Sequence, residues 1–144
     1  MLMKVFPHGT GEGDKPSRYL VRPDYPGRDT APPQVLRGDP AMTRALVDSI
    51  ERRWKFTSGV LSWHPDDKVS EEQEEEVMDA FEQVAFAGLE ADQRNILWVR
   101  HTHAGHHELH FLIPRLELSS GKDFNACPPG WQKDFDVFRD LFNW

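Results

Sequence analysis

Five of the chain's seven histidines fall in one ten-residue run, His101 to His110, which reads HTHAGHHELH. Ala104-Gly105 is a natural turn within it, and residues 95–101 and 107–114 on either side suit strands. A hairpin turning about Ala104 and Gly105 sets residue 101 opposite residue 108. Glu108 and His110 are two apart on the second strand, so they project from one face. Directly opposed residues have Cβ atoms about 4.5–5.5 Å apart. His101, Glu108 and His110 can therefore close on one cation with no help from distant chain. Two imidazoles and a carboxylate leave coordination positions for water and substrate, whereas a structural zinc site would be closed by four ligands. Such an ion can polarise a phosphodiester oxygen and orient the scissile phosphate. A surface histidine cluster that senses pH or scavenges metal is the competing reading of the same spacing. His103, His106 and His107, in or beside the turn, read as solvated loop residues. The isolated His8 and His64 receive no role.

A second chemistry-bearing residue type is scarce. The only tyrosines are Tyr19 and Tyr25. A phenol ionises near pH 10 and needs a cation or metal nearby to act as a nucleophile at neutral pH. Tyr19 is flanked by Arg18 and Arg22, with Lys15 shortly before, a basic setting that could receive a phosphate. Tyr25 lies between Pro23 and Pro26 in an extended stretch. On residue chemistry alone, either one reads equally as an amphipathic aromatic at the surface.

The elements that must carry these groups are legible in part. LMKVF at the start is a short apolar strand candidate. Residues 9–40 are rich in Gly, Pro and charge and read as loop, with Ser17 to Val21 the one segment suited to a helical turn and Pro16 ahead of it. Asp39-Pro40 announces a helix by an N-cap and a proline at the first position, with Leu46, Val47, Ile50 and Trp54 on one face. Residues 57–64 alternate as a strand. Ser70-Glu71-Glu72-Gln73 is a capping box, with Val77, Phe81 and Val84 as the stripe of the helix behind it. On the second hairpin strand, Leu109, Phe111 and Ile113 face away from the histidines and suit a core. After the Pro128-Pro129-Gly130 break, residues 131–144 read as a C-terminal helix. The mixture predicts an α+β domain, an antiparallel sheet with helices packed on it.

Composition bounds the function. A chain of 144 residues with 38% apolar and 28% charged residues is of globular make-up and large enough for a real core. No apolar run is long enough to span a bilayer, and the single Cys127 excludes an internal disulfide, which predicts a cytoplasmic setting. The net charge of −7 argues against a nucleic-acid partner until its distribution is considered. Residues 66–82 hold nine acidic residues against Lys68, so this segment carries −8 and the remainder of the chain +1. The block reads as the solvated face of one helix, turned away from any nucleic acid.

The order of these features is more specific than any one of them. A tyrosine near the N-terminus precedes Ile96-Leu97-Trp98-Val99, then His101, a short turn, Glu108-Leu109 and Phe111-Leu112-Ile113-Pro114. With LMKVF, Tyr19-Leu20-Val21, Val35 to Pro40, Thr57 to Ser62, Leu89-Glu90, Asp92-Gln93, Leu118 and Gly121-Lys122, this resembles the mobilisation relaxases of small colicin-type plasmids. These form a branch of the HUH endonuclease superfamily. The resemblance implies an HUH-type five-stranded antiparallel sheet flanked by helices. It implies residues 1–144 as a single relaxase (nickase) domain, the N-terminal part of a longer bacterial protein. It implies a site- and strand-specific endonuclease and strand transferase that nicks a plasmid transfer origin. Tyr19 matches the tyrosine that attacks the nic site, leaving a 5′-phosphotyrosine and a free 3′-hydroxyl. His101, Glu108 and His110 match the divalent-metal triad, with Mn²⁺ or Mg²⁺ as the ion. The third position is Asn in much of this branch. Histidine here shifts the preference toward Mn²⁺ or another transition metal. His103 stands where the family often has an acidic residue that orients the first ligand. The implied partners are single-stranded or supercoiled plasmid DNA, with Lys15, Arg18 and Arg22 as candidate phosphate contacts, and accessory mobilisation proteins.

Three alternatives remain at this level. A rolling-circle replication initiator shares the chemistry, but its tyrosine generally follows the histidine motif, and no tyrosine follows Tyr25. A non-catalytic DNA-binding module would keep the scaffold without the reaction. A metal-storage or sensor domain would bind metal without nuclease activity.

Overall fold

The computed structural model describes residues 1–11, 14–22, 27–28, 31–102 and 104–142, without the side chains of residues 14, 15 and 18. Its strands are β1 (Leu2–Val5), β2 (Gln34–Arg37), β3 (Phe56–Ser62), β4 (Leu97–His101) and β5 (Glu108–Pro114). They form one antiparallel five-stranded sheet in the order β1-β3-β5-β4-β2, so β5 is central. The helices are α1 (Asp14–Val21), α2 (Pro40–Asp48), α3 (Glu71–Ala85), α4 (Trp131–Asp134) and α5 (Asp136–Leu141), with a 3₁₀ turn over Ala91–Gln93. This is the α+β, HUH-type architecture expected from the sequence. Among the described residues, no helix is long and apolar enough to cross a membrane.

Both faces of the sheet are covered, and period-two alternation sorts the residues between them. Trp98, Leu109, Phe111 and Ile113 enter the larger core with Val77, Met78 and Phe81 of α3 and Phe135 and Phe138. Phe81 is its hub, edge-on to Trp98 at 5.0 Å and tilted on Phe111 at 4.6 Å. The opposite face carries a smaller core of Leu20 from α1, Val47 from α2, and Phe56, Leu97, Val99 and Leu112. His101 and His110 stand in register with this second face.

The helix caps behave as the sequence requires. Asp39 accepts from the Ala41 amide at 3.0 Å, and Ser70 with Gln73 closes a reciprocal capping box at the start of α3. Other expectations are corrected. Residues 34–37 were expected to be loop but form β2, an edge strand with a register shift between Val35 and Arg37. Its stability is tertiary, because Arg37 bridges to Glu75 and Glu82 at 2.6 Å and to Asp79 at 2.7 Å on α3. α2 ends at Asp48, where the Ser49 hydroxyl donates to the Leu46 carbonyl at 2.6 Å. Trp54 consequently lies outside the helix stripe and is exposed. The C-terminal segment is two short helices broken at Phe135, not one.

The acidic block is only partly a solvated face. Glu74 is 2% exposed and binds Arg100, and Glu82 binds Arg37, Arg94 and the Trp98 indole N–H. It does lie on the α3 side, away from His101 and His110.

Gly59 lies where β1, β3 and β5 approach closely. A methyl group there would overlap the Lys4 carbonyl oxygen and the Phe111 ring. Gly59→Ala is expected to lower unfolding stability by about 1–3 kcal/mol through overpacking. Urea denaturation checks this, and an unchanged midpoint would mean that β1 yields without cost.

Candidate active site

The β4–β5 hairpin sets the geometry. Its register pairs His101 with Glu108 and Val99 with His110, the alignment inferred from the turn position. One ligand-capable atom from each of His101, Glu108 and His110 lies within 4.8 Å of the others. The His101 and His110 rings stand 4.2 Å apart between centroids. Both histidines are buried, at 1% and 9% exposure, while the Glu108 side chain is half-buried. The expected triad therefore converges.

Hydrogen bonds fix each member. The Glu108 carboxylate accepts from His110 Nε2 at 3.1 Å on one oxygen and from His106 Nε2 at 2.9 Å on the other. His101 Nε2 donates to the Leu20 carbonyl at 2.7 Å, which leaves the lone pair of the neutral ring on Nδ1. The donor set suits a divalent cation. A metal ion would displace the proton that His110 Nε2 shares with Glu108 Oε1, 3.1 Å away, and would be held by those two atoms and His101. His110 is the largest influence on Glu108. Its hydrogen bond outweighs burial, and with its charge and the bond from His106 it holds the carboxyl down to about 2, against an ordinary 4.5. Glu108 is thus an anion throughout the neutral range, ready to meet a cation.

Tyr19 lies on α1 and is 42% exposed. It shares a cavity of about 170 Å³ with Phe6, Pro16, Gly59 and His110, so the phenol and one member of the triad line the same space. Arg28 is fully buried, with its guanidinium carbon 4.9 Å from the centroid of the Tyr19 ring. It also donates to the carbonyls of Tyr19 and, at 2.9 Å, of Arg22.

The remaining candidates divide. Arg22 is exposed at the end of α1. The side chains of Lys15 and Arg18, together with Tyr25 and His103, lie outside the described residues. His106 and His107 are not solvated loop residues as expected. His106 holds Glu108, and His107 Nε2 donates to Glu74 at 2.8 Å, tying the hairpin to α3. His64 is exposed, and its Nδ1 accepts from the Asp66 amide at 3.1 Å. Cys127 is no rival nucleophile, since burial pushes its thiol up to about 12. Sequence reasoning missed Arg28 and the Leu20 carbonyl. The first sits in an aperiodic Pro- and Gly-rich stretch, and the second is a backbone atom that no residue type announces.

An antiparallel five-stranded sheet with a His–Glu–His cluster at the end of its central hairpin and a tyrosine helix beside it defines an HUH-type nuclease scaffold. Comparison with known proteins narrows the class. A family model described as "Relaxase: MobA/VirD2-like, nuclease domain" matches residues 40–141, and the chain belongs to that family. That span contains His101, Glu108 and His110 and begins after Tyr19. The chain is 43% identical over 122 residues to "Cryptic plasmid protein C" of Neisseria gonorrhoeae, covering 85% of this chain and 58% of that protein. It is 39% identical over 122 residues to "DNA relaxase MbeA" of Escherichia coli, covering 85% of this chain and 23% of that protein. The chain therefore spans under three-fifths of the first relative and about a quarter of the second.

The depressed Glu108 carboxyl has a consequence for the metal-free protein. A carboxyl whose folded value is lowered adds stability that is complete above 4.5 and is lost as the pH falls toward 2. Unfolding free energy measured between pH 6 and 2.5 is expected to fall less steeply in Glu108→Gln than in the parent. Parallel acid limbs would contradict this.

Proposed function

We propose that this chain nicks one strand of plasmid DNA at a transfer origin, using Tyr19 as nucleophile beside a divalent cation held by His101, Glu108 and His110. The observation that carries the reading is the convergence of two buried imidazoles and an ionised carboxylate next to the cavity that Tyr19 lines. Membership of the relaxase family and the name of the second relative support it.

The residues divide the work. The cation, when bound, supplies charge that polarises a non-bridging oxygen of the scissile phosphate. Its ligands leave positions for that oxygen, and two imidazoles favour Mn²⁺ over Mg²⁺ more than an all-oxygen set would. The Tyr19 phenolic oxygen attacks phosphorus and loses its proton. The bond from phosphorus to the 3′-oxygen breaks, and that oxygen leaves as a hydroxyl after taking up a proton. One phosphodiester replaces another, so the 5′-phosphotyrosine keeps the bond energy needed to rejoin a strand. Lys15, Arg18 and Arg22 are placed by sequence near the tyrosine and serve as phosphate contacts. The substrate is single-stranded or supercoiled plasmid DNA in the bacterial cytoplasm, and accessory mobilisation proteins assist in exposing the strand.

The test uses supercoiled plasmid carrying the origin of the encoding plasmid, with Mn²⁺ or Mg²⁺. Open circles with protein at the 5′ end are expected. Tyr19→Phe should abolish the adduct, and His101→Ala should remove cleavage and metal dependence together, each by a factor of about 10² or more. An adduct that survives in Tyr19→Phe but not in Tyr25→Phe would overturn the nucleophile assignment. Metal binding with no nicking of any origin would favour the sensor alternative.

A further inference from the structure

The last turn of a helix leaves carbonyls without intrahelical donors. Two such carbonyls near the end of α1, and one just past it, are met from outside. Arg28 donates to Tyr19 and Arg22, and His101 donates to Leu20 between them. Glycine is the common way to end a helix, but here a fully buried guanidinium does it. Desolvating that charge costs several kcal/mol unless partners compensate. The negative end of the α1 dipole and the face of the Tyr19 ring are two such partners. The same guanidinium thus holds the backbone of Tyr19 through its carbonyl and the side chain through its ring, at 4.9 Å from the centroid.

We infer that Arg28 is a positioning residue for the nucleophile, fixing the Tyr19 ring against the cavity wall that it shares with His110. This rests on the reading of Tyr19 as nucleophile. The phenol is 42% exposed and stands on a helix of only eight residues, so neither burial nor helix propensity alone would confine it. One guanidinium nitrogen, Nη1, reaches both carbonyls while the planar group lies over the ring, and a lysine ammonium has no plane to stack there. Misplacing a reacting group by about 1 Å costs on the order of 100-fold in rate.

The experiment follows single-turnover cleavage of a single-stranded oligonucleotide spanning the nick mapped on the supercoiled plasmid, in the parent, Arg28→Lys, Arg28→Ala and Tyr19→Phe. Oligonucleotide affinity is measured without metal by anisotropy, and ring signals of ¹³C-tyrosine are followed by NMR. Arg28→Ala is expected to slow the cleavage step by about 100-fold and Arg28→Lys by less. Affinity should stay within about threefold, the Tyr19 ring signals should move toward averaged values, and added methylguanidine should restore part of the Arg28→Ala rate. An unchanged rate in both Arg28 variants overturns the inference. So does a loss of rate matched by an equal loss of affinity, which a merely structural role predicts. If Arg28→Ala does not fold, Arg28→Lys decides on the same rate and affinity criteria. Tyr19→Phe separates the two levels: an adduct in that variant sinks the nucleophile reading itself, whereas a dead Tyr19→Phe beside fully active Arg28 variants sinks only the role of Arg28.

Discussion

A single buried hydrogen bond, from His101 Nε2 to the Leu20 carbonyl at 2.7 Å, joins the two halves of the candidate site. His101 ends β4 and belongs to the triad, while Leu20 follows Tyr19 on α1. The helix is otherwise held by the Arg28 bonds to the Tyr19 and Arg22 carbonyls and by Leu20 in the smaller core, with Val21 packed beside it. Eight residues do not sustain a helix in water by propensity. Leaving a buried donor or acceptor without its partner costs about 1–3 kcal/mol. The contact therefore couples the placement of the tyrosine to the orientation of the first imidazole. It also selects the tautomer of that ring.

Segregation of charge between the faces of the sheet answers the objection raised by a net charge of −7. The acidic helix α3 covers the larger core, and several of its carboxylates are neutralised in place by Arg37, Arg94 and Arg100. The site occupies the other face, with α1 and α2. In the proposed reaction a strand of DNA approaching Tyr19 meets that face and not the acidic one. Glu74 shows how closely the two sides are linked. Burial pushes its carboxyl up, yet bonds from Arg100 and His107 prevail and hold it below the usual range. His107 thereby anchors the hairpin turn whose opposite strand end carries His101.

Where the sequence was legible, the reason was local. A turn at Ala104-Gly105 fixes the register of a hairpin, and alternation then decides which side chains share a face, so His101, Glu108 and His110 could be placed together. Caps at Asp39 and Ser70 are read from adjacent residues. What depends on distant partners was hidden. β2 exists because an edge pairs with β4 and Arg37 reaches α3, neither of which residues 34–37 announce. His106 and His107 looked like turn residues because their partners, Glu108 and Glu74, are fixed only once the turn folds against α3. Arg28 finds Tyr19 across an aperiodic stretch, and Trp54 leaves its stripe because a serine closes the helix early.

The proposed reaction requires one divalent ion sharing three ligands beside the phenol. An anomalous difference map from a crystal soaked in Mn²⁺ tests it most directly. The expected result is one peak at about 2.0–2.3 Å from ligand atoms of His101, Glu108 and His110, with the Tyr19 ring on the wall of the same cavity. A peak held instead by His106 and His107, or none at saturating metal, would contradict it.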